Sequence, residues 1–522
     1  MKRRQFIRST GTVLSLPILL KGMPVSAMDK TSIFEFTDPD NDRILVLIQL
    51  NGGTDGLNMI LPRDQYDNLA QVRGNILMPE SRIGVLTDVT GIHPAMEKTR
   101  VLYEEGKLGV IQSVGYPNQD RSHFRSMDIW QSASPATEFW HTGWLGRHFG
   151  ANYPDFPQNY PNSAHPHPFA VSLGRVVSET CEGPNGNFSI TLDDPFKLIE
   201  LFEGMDESAP ETPYGEELAF LRISKAQTNA YSESIVAAAG KGTNTVTYPD
   251  NTFARQLSNI ALLISGGLST KVYVVSLGGF DTHANQVEEA DKTTGEHAAL
   301  LQTLSDGMAA FQQDLFQLGL EERVLGMTFS EFGRRIRSNE SMGTDHGTAV
   351  PLLLFGSCVN NQILGQNPDI DPEVDVREGL PMQYDFRDVY GTVLKDWFGV
   401  EEAAIRQLIH PDFQPLPILK VCNLTTSTGN YPLEPSTIQA TLYPNPCQQW
   451  LYLDVALPDA MQIRVTLLDA MGGQLAVVSN RSLSAGMHQF PIEMRSFPAG
   501  TYFVRIQHGQ HVTTRRIVKV RT

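Results

Sequence analysis

Apolar runs that close on polar, glycine-bearing turns are the feature that most constrains this chain. Residues 43–50 read Arg-Ile-Leu-Val-Leu-Ile-Gln-Leu, nearly unbroken, as in a parallel strand buried on both faces. The run ends in Asn51-Gly52-Gly53-Thr54-Asp55-Gly56-Leu57-Asn58. A second run, 107–114, follows an amphipathic stretch at 93–105. A third, 271–277, closes on Gly278-Gly279-Phe280-Asp281-Thr282-His283, and a fourth, 323–329, on Ser330-Glu331-Phe332-Gly333-Arg334-Arg335. A fifth, 349–355, follows Gly343-Thr344-Asp345-His346-Gly347. Apolar residues at Leu300, Leu301, Leu304, Met308 and Phe311 predict a helix over 296–318, between the third and fourth runs. Strands alternating with helices predict an α/β fold with a doubly wound, mainly parallel sheet. Such sheets bind ligands beyond the carboxyl ends of their strands, where the acids and histidines fall.

The chain has 522 residues, enough for one large domain and a small one. Its apolar fraction of 41% and charged fraction of 19% support a sizeable core and exclude a disordered class. The net charge of −17 disfavours nucleic acid and anionic membrane as partners. No apolar run approaches the ~20 residues of a membrane span, so no transmembrane anchor is expected. Cys181, Cys358, Cys422 and Cys447 are too scattered for a disulfide framework or a CxxC clamp, and buried thiols are expected.

Both ends read as addresses. Lys2, Arg3 and Arg4 precede a short, broken apolar stretch, and Val25-Ser26-Ala27 has the small residues of a cleavage site. Paired arginines ahead of a mild apolar segment resemble a twin-arginine signal over residues 1–27, read by the twin-arginine translocase. Export in the folded state suits a protein that takes up a metal before leaving the cytosol. Residues 28–422 form the expected α/β body and 423–437 a polar linker. Over 438–522, short alternating segments recur with turns between them, predicting a small all-β sandwich. Within it, Tyr443-Pro444-Asn445-Pro446, then Leu467-Leu468-Asp469-Ala470-Met471-Gly472-Gly473, then Pro498-Ala499-Gly500-Thr501-Tyr502-Phe503 occur in that order. This succession resembles the C-terminal sorting domain of the type IX (Por) secretion system of the Bacteroidetes. The resemblance implies the type IX outer-membrane machinery as partner, and secretion or surface attachment by way of the periplasm.

Asp and His are oxygen and imidazole ligands for divalent metals, and closely spaced pairs let one turn supply two of them. Asp55, Asp281, His283, Asp345 and His346 sit after or before separate predicted strands. Together with Arg121-Ser122-His123-Phe124, these turns resemble the exported proteins grouped as domain of unknown function 1501, a family similar to the alkaline phosphatase and sulfatase superfamily. The resemblance implies an alkaline phosphatase-like body holding one or two divalent ions, zinc being the favoured metal. It gives Asp55, Asp345 and His346 to one ion and Asp281 and His283 to the other. Ser122 becomes the candidate nucleophile, with Arg121 and His123 beside it, and His123 fills the place of a missing third histidine. An N-cap role is the competing reading of Ser122. Asn58, Glu331, Arg334 and Arg335 are expected to orient ligands or substrate.

GxSxG, HExxH and the phosphate-binding Gly-rich loop are absent, as is the Cys/Ser-x-Pro-x-Arg signature of formylglycine sulfatases. Two function classes follow. One is an exported metal-dependent hydrolase of phosphate or related esters, with a small anionic ester as substrate. The other is a non-catalytic surface binding or scaffold protein on the same fold.

Overall fold

The computed structural model describes residues 19–20, 23–24, 41–174, 177–196, 231–420, 439–443, 447–457, 460–468, 474–484, 486–508 and 511–520. The arginine pair, the cleavage pattern, the linker, Cys422 and most of the first sorting motif lie outside them. The chain divides into two compact units, Met1–Thr426 and Ser427–Thr522.

Among the described residues, the body's main sheet has nine strands: β1 (Ile44–Asn51), β2 (Leu108–Gly115), β3 (Ala170–Leu173), β4 (Ser189–Leu192), β5 (Val272–Gly278), β6 (Val324–Phe329), β7 (Val350–Phe355), β8 (Ile363–Leu364) and β9 (Tyr384–Asp385). Eight of them run in the order β8-β2-β7-β6-β1-β5-β3-β4, and β9 also pairs with β2. Six pairings are parallel, and β7 runs antiparallel to both its neighbours. The mainly parallel sheet is therefore observed, with β7, third in the order, reversed within it.

Helices that pack around it include α1 (Tyr66–Arg73), α2 (Glu97–Glu104), α3 (His123–Ser132), α4 (Trp144–Asn152), α5 (Thr252–Ser265), α6 (Glu296–Gln317) and α7 (Phe386–Thr392). Strand β1 shows why they cover both faces. Leu45 and Leu47 enter one apolar cluster with Trp130, Trp144 and Tyr390, from α3, α4 and α7. Ile44, Val46, Ile48 and Leu50 enter another with Leu257 and Ile260 of α5 and Leu304, Met308 and Phe311 of α6. A period of two sends alternate residues to opposite faces, so an unbroken apolar run requires two covering layers. Burying one such side chain contributes roughly 1.5–3 kcal/mol.

Strand direction gathers the functional turns. Strands β1, β5 and β6 are mutually parallel, with Gly278 level with Asn51 and Phe329 with Gln49. Strand β7 starts at Val350, opposite Val114 near the end of β2. Because β7 is reversed, the loop before it joins the edge where its neighbours finish. Four connections thus meet there: after β1, after β2, after β5, and the crossing from β6 to β7.

Among the described residues, the second unit carries seven antiparallel strands: β10 (Gln439–Tyr443), β11 (Trp450–Leu457), β12 (Met461–Leu468), β13 (Gln474–Leu483), β14 (Gly486–Glu493), β15 (Gly500–His508) and β16 (His511–Lys519). They form a sheet β10-β11-β14 and a sheet β13-β12-β15-β16. Leu451, Leu453 and Val455 of the first share one core with Ile463, Val465, Leu467, Val504 and Ile506 of the second. Alternate inward side chains from two sheets make a sandwich.

The cysteines depart from expectation. Cys181 and Cys447 are buried free thiols, but Cys358 is disulfide-bonded. Spacing alone cannot show which distant segments a fold brings within the ~6 Å of a disulfide. Among the described residues, no helix is long and apolar enough to cross a membrane.

Candidate metal centre

Three imidazoles converge on one carboxylate at the strand-end edge. Asp281 and His283 come from the turn after β5, His346 from the loop before β7, and His123 from the first turn of α3. The Asp281 Oδ1 atom lies 3.1 Å from Nε2 of both His283 and His346, and its Oδ2 lies 3.5 Å from Nε2 of His123. The His283 and His346 Nε2 atoms are 2.9 Å apart. Ligand atoms of His123, Asp281 and His346 all lie within 4.8 Å of one another.

Each ring is held by its other nitrogen. His123 Nδ1 lies 2.8 Å from Glu331, His283 Nδ1 3.0 Å from Asp345, and His346 Nδ1 2.9 Å from the Arg121 carbonyl. Carboxylates and carbonyls only accept, so the network assigns the hydrogen of each neutral ring to Nδ1. Every Nε2 then turns a lone pair toward Asp281, another acceptor. Protonating one ring would satisfy one contact, whereas a cation satisfies all of them. The buried Nε2 of His123 has no hydrogen-bond partner among the described residues. Burial holds the His346 pKa below its ordinary value, partly offset by the Asp281 hydrogen bond. Burial also opposes charge on Asp281, but hydrogen bonds from Arg334 and His346 outweigh it and hold its pKa down to about 2. The donor set is three imidazole nitrogens and one carboxylate, which fits a divalent ion such as zinc.

Loops and packing fix this arrangement. Gly52 has φ +121°, and a Cβ there would lie 2.4 Å from the Asp281 amide nitrogen. Only glycine lets the turn after β1 press against the turn after β5. The Phe332 ring, buried, packs against His123 and His346 with centroids 4.9 and 4.6 Å apart.

The other expected residues fall into distinct positions. Arg334 is buried and donates to the carbonyls of Gly53, Thr344 and Phe280 and, at 2.7 Å, to Asp281 Oδ1. It ties the loops together and fixes the Asp281 side chain. Arg335 holds Asp345 Oδ2 at 3.0 Å. Asp345, expected as a ligand, instead spends Oδ1 on orienting His283, because the imidazole lies between it and the cluster. Glu331 Oε1 lies 2.8 Å from His123 Nδ1 and accepts the Gly52 amide at the same oxygen.

Asp55 does not join the cluster. Its side chain is 1% exposed, and Arg73 Nη1 lies 3.0 and 2.9 Å from its two oxygens, with Gln286 Nε2 2.7 Å from Oδ2. Burial opposes its charge, but Arg73 outweighs that and keeps its pKa below the ordinary value. Asn58 is likewise buried, its amide 3.3 Å from His297 Nδ1. Sequence reasoning gave no role to Arg73, Gln286 or His297, since none stands in a recognisable motif.

Ser122 is the N-cap of α3, but its side chain makes no capping hydrogen bond, and the residue is exposed. Its amide donates to Asp120 Oδ1 at 2.7 Å. Its neighbours Arg121 and His123 both belong to the cluster's hydrogen-bond network. The Arg121 guanidinium donates to the Arg377 carbonyl at 2.5 Å.

Residues 219–408, which hold Asp281, His283, Glu331, Asp345 and His346, match the family model described as a protein of unknown function, DUF1501. Residues 441–520 match the secretion system C-terminal sorting domain. The two matches fall on separate stretches of the chain. The sorting domain directs it to secretion or to attachment at the cell surface. No curated protein matches it. Solved structures similar to this chain include a protein of the glycosaminoglycan-metabolism locus of Bacteroides thetaiotaomicron, at 9% identity, covering 85% of this chain and 90% of that one with a TM-score of 0.33. A sulfatase from Pseudoalteromonas sp. has 10% identity, 89% and 83% coverage, and a TM-score of 0.29. A phosphonate monoester hydrolase from Silicibacter pomeroyi has 12% identity, 91% and 88% coverage, and a TM-score of 0.30. At these TM-scores the functional reading rests on the geometry of the site.

Proposed function

We propose that the body is a metal-dependent hydrolase of phosphate or related anionic esters, delivered through the twin-arginine translocase and the type IX machinery. One observation carries this reading: three imidazoles, each fixed through Nδ1, direct Nε2 at the single carboxylate of Asp281. His123, Asp281, His283 and His346 would hold the ion, and a bound divalent cation supplies Lewis-acid polarisation of an ester oxygen.

The chain's own residues supply the remainder. Ser122 has a hydroxyl free of capping, at the N-terminus of a ten-residue helix, where the helix dipole favours an anionic group. It is the candidate nucleophile. Arg121 lies next to it and can turn from the Arg377 carbonyl toward an anionic substrate. Glu331, Asp345 and the Arg121 carbonyl hold the imidazoles in one tautomer, so the site needs no reorganisation on binding. Asp281 and His283 have side chains 47% and 44% exposed, which leaves the site open to a solute.

The test is metal analysis of purified mature protein, followed by assay on an aryl phosphate, a phosphodiester and an aryl sulfate. Bound metal with turnover of one of these supports the reading. Protein that binds no metal and hydrolyses none of them overturns it in favour of a non-catalytic surface protein.

A further inference from the structure

Asp55 sits on a glycine-rich turn at the end of β1, where a strand-end acid would be available to a metal. The structure gives it another cation. Arg73, from the last turn of α1, meets both carboxylate oxygens, and the two side chains are each 1% exposed. The guanidinium is engaged elsewhere as well: Nε donates to the Ile336 carbonyl at 2.8 Å and Nη2 to the Arg335 carbonyl at 2.6 Å. Gln286, fully buried, completes the shell of Asp55 at Oδ2. Its own oxygen accepts from the hydroxyls of Thr282 at 3.2 Å and Thr344 at 2.7 Å.

We infer that the body holds one metal ion per chain, with the Arg73 guanidinium serving Asp55 as the cation that a second ion would otherwise supply. This rests on the proposed metal site. An ion at Asp55 would have to displace a guanidinium with no route to solvent, leaving a buried charge unpaired. It would also break the Gln286 bridge between the turns that carry Asp281 and Asp345. The acid at the other candidate position, Asp345, has both oxygens engaged, by His283 and Asn339 at Oδ1 and by Arg335 at Oδ2. Of the candidate acids Asp55, Asp281 and Asp345, Asp281 is the one that imidazole Nε2 atoms face.

The experiment is the zinc content of the full mature chain, equilibrated with excess zinc, freed of loosely held ion, and measured by elemental analysis and native mass spectrometry. One equivalent is expected. Two tightly held equivalents would overturn the inference while leaving the hydrolase reading intact, and zero would overturn the metal site itself. In Asp55→Asn the content should stay at one equivalent while the melting temperature falls, because Arg73 loses its counter-charge. A folded Asp55→Asn protein that loses its metal would make Asp55 a ligand and refute the assignment. The double variant Asp55→Leu/Arg73→Met removes both charges together and should likewise retain one equivalent. Should the variants not fold, the wild-type stoichiometry still decides.

Discussion

His123, partly exposed, pairs with the buried Glu331, one carboxylate oxygen taking the imidazole Nδ1 and the Gly52 amide, both at 2.8 Å. The pair couples the start of α3 to the ends of β1 and β6, three segments far apart in sequence. Glu331→Ala should therefore weaken zinc affinity by about 10–100-fold, the usual effect of losing a ligand's orienting partner. Competition with a chelator measures it. An unchanged affinity would mean that His123 is oriented by other contacts or is not a ligand.

Removing a ligand should have a larger effect. His346→Ala and Asp281→Asn are expected to lose metal outright and to lower apparent stability by more than the ~0.5 kcal/mol of a surface substitution. His141→Ala, on the segment beside Trp140 and Thr142, should match wild type in metal content and melting. Unchanged metal in both site variants would remove the basis for the metal centre.

Ser122→Ala separates nucleophile from cap. The hydroxyl makes no capping bond, so its loss should cost well under the ~1 kcal/mol of a true N-cap. Metal content should stay the same and turnover should vanish. Retained turnover at the wild-type rate would exclude Ser122 as nucleophile.

Acid stability should report His148. Burial pushes its pKa from 6.5 down to about 4. Between those values the unfolded chain carries a proton that the folded chain does not. Stability therefore falls as pH drops from about 6.5 to 4, then levels off for this group. His148→Phe should reduce that slope by about 1.4 kcal/mol per pH unit, read from urea unfolding at several pH values. Equal slopes in variant and wild type would show that His148 is protonated in the folded state.

Export can be tested at both ends. Arg3→Lys with Arg4→Lys should leave unprocessed precursor in the cytoplasm if the paired guanidiniums are read by the twin-arginine system. Truncation after Tyr431 should leave the body in the periplasm. Normal processing of the first variant, or surface delivery of the second, would overturn the corresponding assignment.

Much of the fold was legible because burial on both faces forces an unbroken apolar pattern, as in β1, and the sandwich because inward residues alternate, as in Ile463, Val465 and Leu467. The direction of β7 was not legible. An apolar hexamer carries no mark of its pairing partner, and the long connection from Ser330 to Ala349 leaves either direction open. At the site, Asp281, His283 and His346 stood out as ligand types on turns. The division between acids that face the cluster and acids that orient its rings did not. Asp281 and Asp345 look alike in sequence and differ only in which imidazole nitrogen each meets. The Arg73–Asp55 pair was hidden for the same reason, since an arginine at a helix end usually stays in solvent.

The reversal of β7 also leaves the molecule with a quiet side. The connection into β7 lies at the working edge, and the one leaving it, at Gly356, lies at the opposite edge beside the turn that leads from α6 into β6. Gly319 in that turn has φ +70° and open space around it. A fluorophore or affinity handle inserted there should report on the body from a full strand length away, leaving every imidazole undisturbed.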